Sequence, residues 1–312
     1  MRKSGLTLSQ LIPLVAVLGV LACLLMPAAM HARVSARQAE CTNKLHDLAI
    51  AFHNYHDVKT VLPPGEAGHS NGVFALCQPY MEKDDTAQKL VAEFDTWLDH
   101  NKEEGSGAGW WTTQASWDLC KQSFAEYYCP AVDIDAFDKA TRNITAVRYE
   151  RSGSGGKLTI NYVDTERGNH AGLTTYAPSA GICGMQRIDM WSAGFGDFRQ
   201  GMFSSDRTMA MRNILDGTSY TLAIGEYMGG YDSASNSWTH RASWAGGVTM
   251  WTAMPVAASA KEAHWSQFSS PHDGITNVAL GDAAVRPLRN SIDLELLRNL
   301  SGIRDGVNID IN

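Results

Sequence analysis

GLTLSQLIPLVAVLGVLACLLMPAAM, residues 5–30, runs for 26 positions without a formal charge, directly after Arg2, Lys3 and Ser4. A helix that crosses the hydrocarbon core of a bilayer needs ~20 apolar residues, so this stretch is long enough. Two cations precede it, and His31, Arg33 and Arg37 follow it. A short basic leader favours a cytoplasmic N-terminus, which puts the rest of the chain outside the cytoplasm. Three processing schemes compete. A prepilin-like leader would end at Gly5 and be cut before Leu6, with the apolar helix retained. A secretory signal would be cut after a small residue such as Ala36, but the apolar stretch exceeds the roughly 7–15 residues of such a core. A lipoprotein signal would place Val20-Leu21-Ala22 before Cys23, with Leu21 where a small residue is expected.

The continuation favours retention. From Val34 to Tyr55 there is no Gly or Pro, and Cys41, Leu45, Leu48, Phe52 and Tyr55 recur at spacings of 4, 3, 4 and 3. That period puts them on one helix face, while Gln38, Asn43, Lys44, Asp47 and Asn54 take most of the remainder. The spacing predicts a single helix of about 50 residues, membrane-buried in its first half and amphipathic in its second. It should stop before Pro63-Pro64-Gly65, because the residue ahead of a proline is pushed out of the helical region. Pro27 should kink or loosen it by removing a backbone donor, and Pro13 raises the same question nearer the start.

Cleavage after glycine, followed by an apolar helix with a proline 22 residues into the mature chain, resembles a type IV pilin or type II secretion pseudopilin. Cys41-Thr42-Asn43-Lys44-Leu45 through His53-Asn54-Tyr55-His56-Asp57, closing with Leu62-Pro63-Pro64-Gly65, is similar to the bacterial prepilin-like family called domain of unknown function 1559. Tyr128-Cys129-Pro130, then Asp216-Gly217-Thr218-Ser219 with Gly225-Glu226, fit the same family in order. So does His272, followed nine residues later by Gly281-Asp282-Ala283. The resemblance spans residues 5 to about 306, with a divergent middle from roughly 80 to 170. It implies an inner-membrane protein processed by a prepilin peptidase, whose partners are copies of itself or other pilin-like subunits. Three positions depart from the pattern. Gln10 stands where pilins carry glutamate, which is thought to neutralise a neighbouring subunit's N-terminal amine. An unpaired ammonium in the membrane is costly, so this position bears on assembly. Leu6 replaces the usual phenylalanine, and Ala283 replaces glycine in a turn where a side chain restricts positive φ.

The expected organisation is a leader over 1–5, a membrane and assembly helix over 6–30, its amphipathic continuation over 31–62, and a globular head over 63–312. The net charge is −7, and loss of Arg2 and Lys3 takes it to −9, with no basic cluster; such a surface repels phosphate backbones and argues against nucleic acid. Twenty-eight glycines and only 19% charged residues lean the head toward strands and loops. Residues 80–103 read as a helix with Leu90, Phe94, Trp97 and Leu98 on one face, and 115–128 as a short second one. Flexible turns are expected at Gly105–Gly109 and Ser152–Gly156. From Lys157 the pattern changes to strands at Leu158–Val163, Thr208–Asn213, Tyr220–Gly225, Ser243–Thr252, Thr276–Leu280 and Ala284–Leu288. A terminal helix is expected from an N-cap at Ser291, with Leu294, Leu297 and Leu300 inward and Gly302 as its stop. The fold class is α+β: a pilin-like long helix packed on an antiparallel sheet.

Of six cysteines, Cys23 lies in the span. Cys41, Cys77, Cys120, Cys129 and Cys183 face an oxidising compartment, where disulfides persist. Five thiols allow at most two bridges in 15 arrangements, of which Cys120–Cys129 is the first guess by sequence proximity. No Cys-x-x-Cys occurs, which argues against zinc. His53 and Asp57 share a helix face at i, i+4, a geometry that can hold a metal and is equally a solvated helix end, and His272 with Asp282 reads as a hydrogen-bonded pair across a hairpin. Asp216 with Asp282 or Glu226 could offer loop oxygens to calcium, as some major pseudopilins do, although no ligand spacing is visible. No nucleophile elbow, P-loop or metalloprotease motif is present, so the sequence points away from an enzyme. Eight of the nine tryptophans, all but Trp97, read mainly as core of the head, with exposed ones expected within 106–117 or 236–251. Two functions remain: a non-enzymatic prepilin-like subunit for filament assembly, secretion, adhesion or envelope organisation, or a monomeric anchored protein, lipidated at Cys23, whose Trp-rich head captures a glycan or protein.

Overall fold

The computed structural model describes residues 8–67, 71–81, 114–140, 142–152, 157–164, 171–182, 200–203, 208–304 and 306. Helix α1 runs unbroken from Leu8 to Lys59, 52 residues, through both Pro13 and Pro27. Its two halves live in different surroundings. Val15, Leu18, Leu25 and Met30 are 56–66% exposed, whereas Cys41, Leu45, Leu48 and Phe52 are at most 2% exposed. The predicted stripe is thus the face by which α1 enters the core, with Ala49 and Ala51 added and Tyr55 half-buried at its end. Thr60 leaves the helix at φ +62° and returns its N–H to the His56 carbonyl. The Pro63-Pro64-Gly65 turn follows, tied down when the Leu62 N–H donates to the Met209 carbonyl.

Two sheets follow α1, and the first receives it. The first runs β10 (Met250–Trp251), β6 (Tyr176–Gly181), β7 (Leu222–Glu226), β11 (Ile275–Leu280) and β12 (Val285–Arg289). The β6–β7, β7–β11 and β11–β12 pairs are antiparallel, and β10 joins the edge in parallel. Helix α1 lies on one face of this sheet, where Ala223 and Ala279 share a cluster with Leu45, Leu48 and Phe52. The opposite face holds Leu222 and Val278 with Leu297 and Leu300 of the terminal helix, Leu294–Ser301. The sheet is therefore a layer between two helices, which explains why its strands read as nearly continuous apolar runs. The second sheet is built round the 11-residue β9 (Ser237–Gly247), which pairs with β2 (Asn71–Gly72), β3 (Arg142–Ser152), β5 (Leu173–Thr174) and β8 (Gly230–Asp232). Strand β1 (Glu66–Ala67) and strand β4 (Lys157–Asp164) extend it. The β3–β9 pair is parallel.

Helix α2 (Val73–Cys77), wholly buried, and the segment around Tyr127 fill the space between α1 and β9. Tyr127 stacks on Trp244 with ring centres 5.5 Å apart, and Phe124 meets the same indole edge-on at 5.2 Å. Trp244 donates to the Gln122 carbonyl at 2.8 Å. Trp117, Trp244 and Trp251 are buried and Trp238 half-buried, so the region 236–251 expected to expose indoles instead uses most of them as core. Of the expected 80–103 helix only Tyr80 and Met81 are described, at the end of a 3-10 turn over Gln78–Tyr80. Residues 82–103, tryptophans 97, 110, 111 and 191 and the glycine turns of 105–109 and 153–156 lie outside the described residues.

Three local expectations need correction. Thr208–Asn213 is not a strand. It turns through a single 3-10 helix at Met211–Asn213, because Asn213 Oδ1 accepts the Ala210 N–H and closes the turn. The expected 115–128 helix stops at Cys120 (Gln114–Cys120) and resumes only as one 3-10 turn. The terminal helix starts later than Ser291. Asp293 is its N-cap and accepts the Glu295 and Leu296 N–H groups, an anionic cap that also complements the helix dipole. At the β11–β12 turn, Ala283 holds φ +67° while 2% exposed, so the hairpin keeps the glycine-type conformation with an alanine in place.

Phe52 is packed edge-on to Phe203 at 4.8 Å and near Phe74 at 6.4 Å. Phe52→Ala is expected to lower head stability by about 3–5 kcal/mol, the range for truncating a fully buried aromatic. Denaturant unfolding of the full chain in detergent, followed by tryptophan fluorescence, measures it; a loss under about 1 kcal/mol would contradict this packing.

Candidate functional site

Glu226 ends β7 with no exposed surface. An ionised carboxylate in that position must be compensated, since burying an unpaired charge is prohibitive. Four groups meet it. Ser270 Oγ donates to Oε2 at 2.7 Å and the Asn277 N–H donates to the same oxygen at 2.8 Å. Asn277 Nδ2 donates to Oε1 at 3.2 Å, and His272 Nε2 lies 3.3 Å from Oε1. The backbone that carries the imidazole is itself held, because the His272 main-chain N–H donates to Ser270 Oγ at 3.0 Å. Gly225, just before Glu226, is required by close approach: a Cβ there would sit 2.6 Å from the Phe268 ring.

On the other side of His272 lies a crosslink. Cys41 of α1 is joined to Cys129, 88 residues away, with Cα atoms 5.1 Å apart, inside the usual span for a disulfide. Cys129 Sγ is 3.5 Å from His272 Nε2. Cys129 is placed by its N–H donating to Thr175 Oγ1 at 2.7 Å, and the Thr175 carbonyl accepts from Tyr227. One turn along α1, Lys44 Nζ donates to the Tyr128 carbonyl at 3.2 Å, so the helix grips the Tyr128-Cys129 segment twice. Tyr176, opposite Glu226 across the β6–β7 pair, is buried. Burial first, and then the Glu226 and Glu40 carboxylates, push its phenol well above the ordinary tyrosine range. The phenol stays neutral.

The family described as "Protein of unknown function (DUF1559)" matches residues 30–295. The chain belongs to this family. No curated protein and no solved structure matches it. In this DUF1559 protein, residues quoted from four separate stretches of sequence, Cys41, Cys129, Glu226 and His272, converge on one buried point.

The other signature positions serve the frame. Asp216 Oδ1 accepts the Gly306 N–H, and Gly217 takes φ +93° to start the 3-10 turn at Thr218 that feeds β7. Asp282 is exposed and accepts the Ala284 N–H within its own turn. It does not pair with His272, whose carboxylate partner is Glu226: the β11–β12 hairpin turns Asp282 outward. Asn54 donates to the Tyr80 carbonyl at 3.0 Å, while Tyr55 meets the Tyr80 ring at 5.3 Å. His53 is half-buried and Asn43 exposed; Pro63 and Gly65 are buried and Pro64 and Pro130 half-buried. Gln10 lies within α1, Pro27 is exposed on it, and Gly5, Leu6 and Cys183 lie outside the described residues.

The guess of Cys120–Cys129 is likewise overturned. Cys129 is taken by Cys41, and Cys120 is a buried free thiol, as is Cys77. Desolvation pushes both thiols above their ordinary value of 9.0, keeping them protonated and unreactive. Folding therefore holds protons that the unfolded thiols release. Their stabilising effect is complete below pH 9.0 and is lost as the pH rises above it. Thr175, Ser270 and Asn277 were not singled out from sequence. Asn277 alone left a mark there, as an amide inside the apolar run Ile-Thr-Asn-Val-Ala-Leu.

Iodoacetamide applied to the native protein at mildly alkaline pH should leave Cys77 and Cys120 unlabelled, and non-reducing peptide mapping should recover Cys41 joined to Cys129. Rapid native alkylation of Cys120, or a Cys120–Cys129 peptide, would contradict the arrangement.

Proposed function

We propose that this protein is a non-enzymatic, pilin-like subunit held in the inner membrane by α1, with its head outside the cytoplasm for assembly with copies of itself or related subunits. The observation that carries the reading is one helix in two environments. From Cys41 onward α1 is structural core of the head. Before that, Val15, Val17, Leu18, Val20, Leu21, Leu25, Met26 and Met30 are 49–66% exposed, with nothing in the described head against them. Such a face needs lipid or other helices around it. By length and composition α1 can cross a membrane, and family membership fits an anchored, pilin-like protein.

The helix has no break between the two halves, so a force on the span passes directly to the core. The disulfide fixes α1 to the head at the point where packing begins. Both features suit a subunit that is held by its helix while its head is loaded. A prepilin peptidase would cut after Gly5 and leave Leu6 as the first residue.

Intact mass of the protein purified from membranes tests the anchoring. A chain starting at methylated Leu6 is expected. A start near Arg37 would mean that the apolar half is discarded, and a diacylglyceryl Cys23 terminus would make the protein a lipoprotein. Assembly is tested separately by restoring the carboxylate: Gln10→Glu is expected to raise the sedimentable filament fraction several-fold, and an unchanged fraction would remove this position from the assembly argument.

A further inference from the structure

The crosslink sits inside a set of metal-ligating groups. One ligand atom each from Cys41, Cys129, Glu226 and His272 lies within 4.8 Å of the others, and all four residues are buried. A tetrahedral zinc site, with bonds of about 2.0–2.3 Å, sets its ligand atoms roughly 3.3–3.8 Å apart. His272 Nε2 already lies at that spacing, 3.5 Å from Cys129 Sγ and 3.3 Å from Glu226 Oε1. The two sulfurs would move apart to it as their bond opens, and the widest gap would close by about 1 Å through side-chain rotation. While the sulfurs are bonded to one another they cannot serve as ligands. The geometry points to a second state of this site: with the Cys41–Cys129 bond open, the chain holds one zinc ion through Cys41, Cys129, Glu226 and His272.

The donor set selects the metal. Two thiolates, one imidazole and one carboxylate suit zinc, whereas calcium and magnesium take oxygen ligands. Two thiolates and a carboxylate also offset the dication in a site shut off from water. The outer partners are in place. Ser270 Oγ and the Asn277 N–H hold Glu226 Oε2, leaving Oε1 on the His272 side, and Ser270 fixes the His272 backbone. Outer contacts of this kind orient ligands and sharpen affinity. The sequence hid the site because its ligands come from α1, the segment after Tyr128, the end of β7 and the loop before β11, with no local Cys-x-x-Cys.

The chemistry balances. On loading, two thiols and Zn²⁺ give two zinc thiolates and release two protons. A newly made chain already carries the thiols, so first loading needs no reductant. On closure, a disulfide reagent R–S–S–R accepts two electrons, its bond breaks, and two R–SH leave with two protons from water. The Cys41–Cys129 bond forms and Zn²⁺ departs. A small-molecule dithiol reverses this through thiol–disulfide exchange. The ion would thus hold α1 to the head before the covalent bond does so.

The test uses the full chain in detergent, reduced with a phosphine without oxygen and titrated with cobalt(II). One cobalt per chain is expected, with a near-ultraviolet thiolate-to-cobalt band and the intense visible bands of a tetrahedral site, both bleached by zinc. The oxidised chain should show neither band. Glu226→Gln removes a ligand and should weaken binding by at least the ~10–100-fold that loss of an outer contact alone produces, while the thiolate band persists. A Cys77→Ala, Cys120→Ala double variant should keep the whole spectrum. A reduced wild-type chain that gives only weak octahedral absorption, or an oxidised chain with the same spectrum as the reduced one, overturns the proposal. So does full retention of the thiolate band in Cys41→Ser. The first two outcomes need no variant, so misfolding of Cys41→Ser does not shield the idea.

Discussion

A carboxylate with no exposed surface organises the centre of this head. Glu226 can be buried only if donors from several elements reach it together, since a missing partner would leave a charge stranded in a poorly polarisable interior. Ser270 and His272 supply the loop ahead of β11, Asn277 supplies β11 itself, and His272 extends the network to Cys129. The disulfide then carries it into α1. The carboxylate thus fixes the register of β7 against β11, the path of a loop and the seat of the long helix. Such a network is demanding, because a partly satisfied version would be worse than an apolar core.

The helix is the other constraint, and it works through area. Leu45, Leu48 and Phe52 have at most 2% of their surface exposed, so this half of α1 is part of the hydrophobic core rather than an appendage. Polar clamps flank the stripe: Lys44 on the Tyr128 carbonyl, and His46 Nδ1 at 2.9 Å from the Ala283 carbonyl in the β11–β12 turn. The second contact bears on the alanine at positive φ. The turn's carbonyl is part of the helix docking site, so the backbone there is held by packing at the expense of local strain of about 1–2 kcal/mol. The tryptophans follow the same logic, with Trp244 serving as a wall between α1's neighbours and β9.

Much of the frame could be read from residue spacing. The 4-3-4-3 apolar stripe gave the buried face of α1, β-branched runs gave β4, β7 and β11 to within a few residues, and Gly302 gave the end of the terminal helix. These succeeded because each depends on neighbours within a few residues along the chain. Thr208–Asn213 failed because its apolar methionines suited a strand, whereas a side-chain amide closed a turn. Residues of the buried cluster were visible one by one as family signatures. Their partnership was not.

What the chain determined by itself is therefore one-dimensional: an apolar span continuous with an amphipathic helix, a run of strands, and a set of polar residues and cysteines at recognisable places. Only the tertiary structure decided that Cys41 bonds Cys129 across 88 residues, that His272 faces Glu226 and not Asp282, and that all four meet beneath α1. The reason is physical. Helix faces and turns are fixed by local sterics and periodicity. Pairing between groups far apart in sequence is fixed by which layers pack together and which buried charges must then be satisfied.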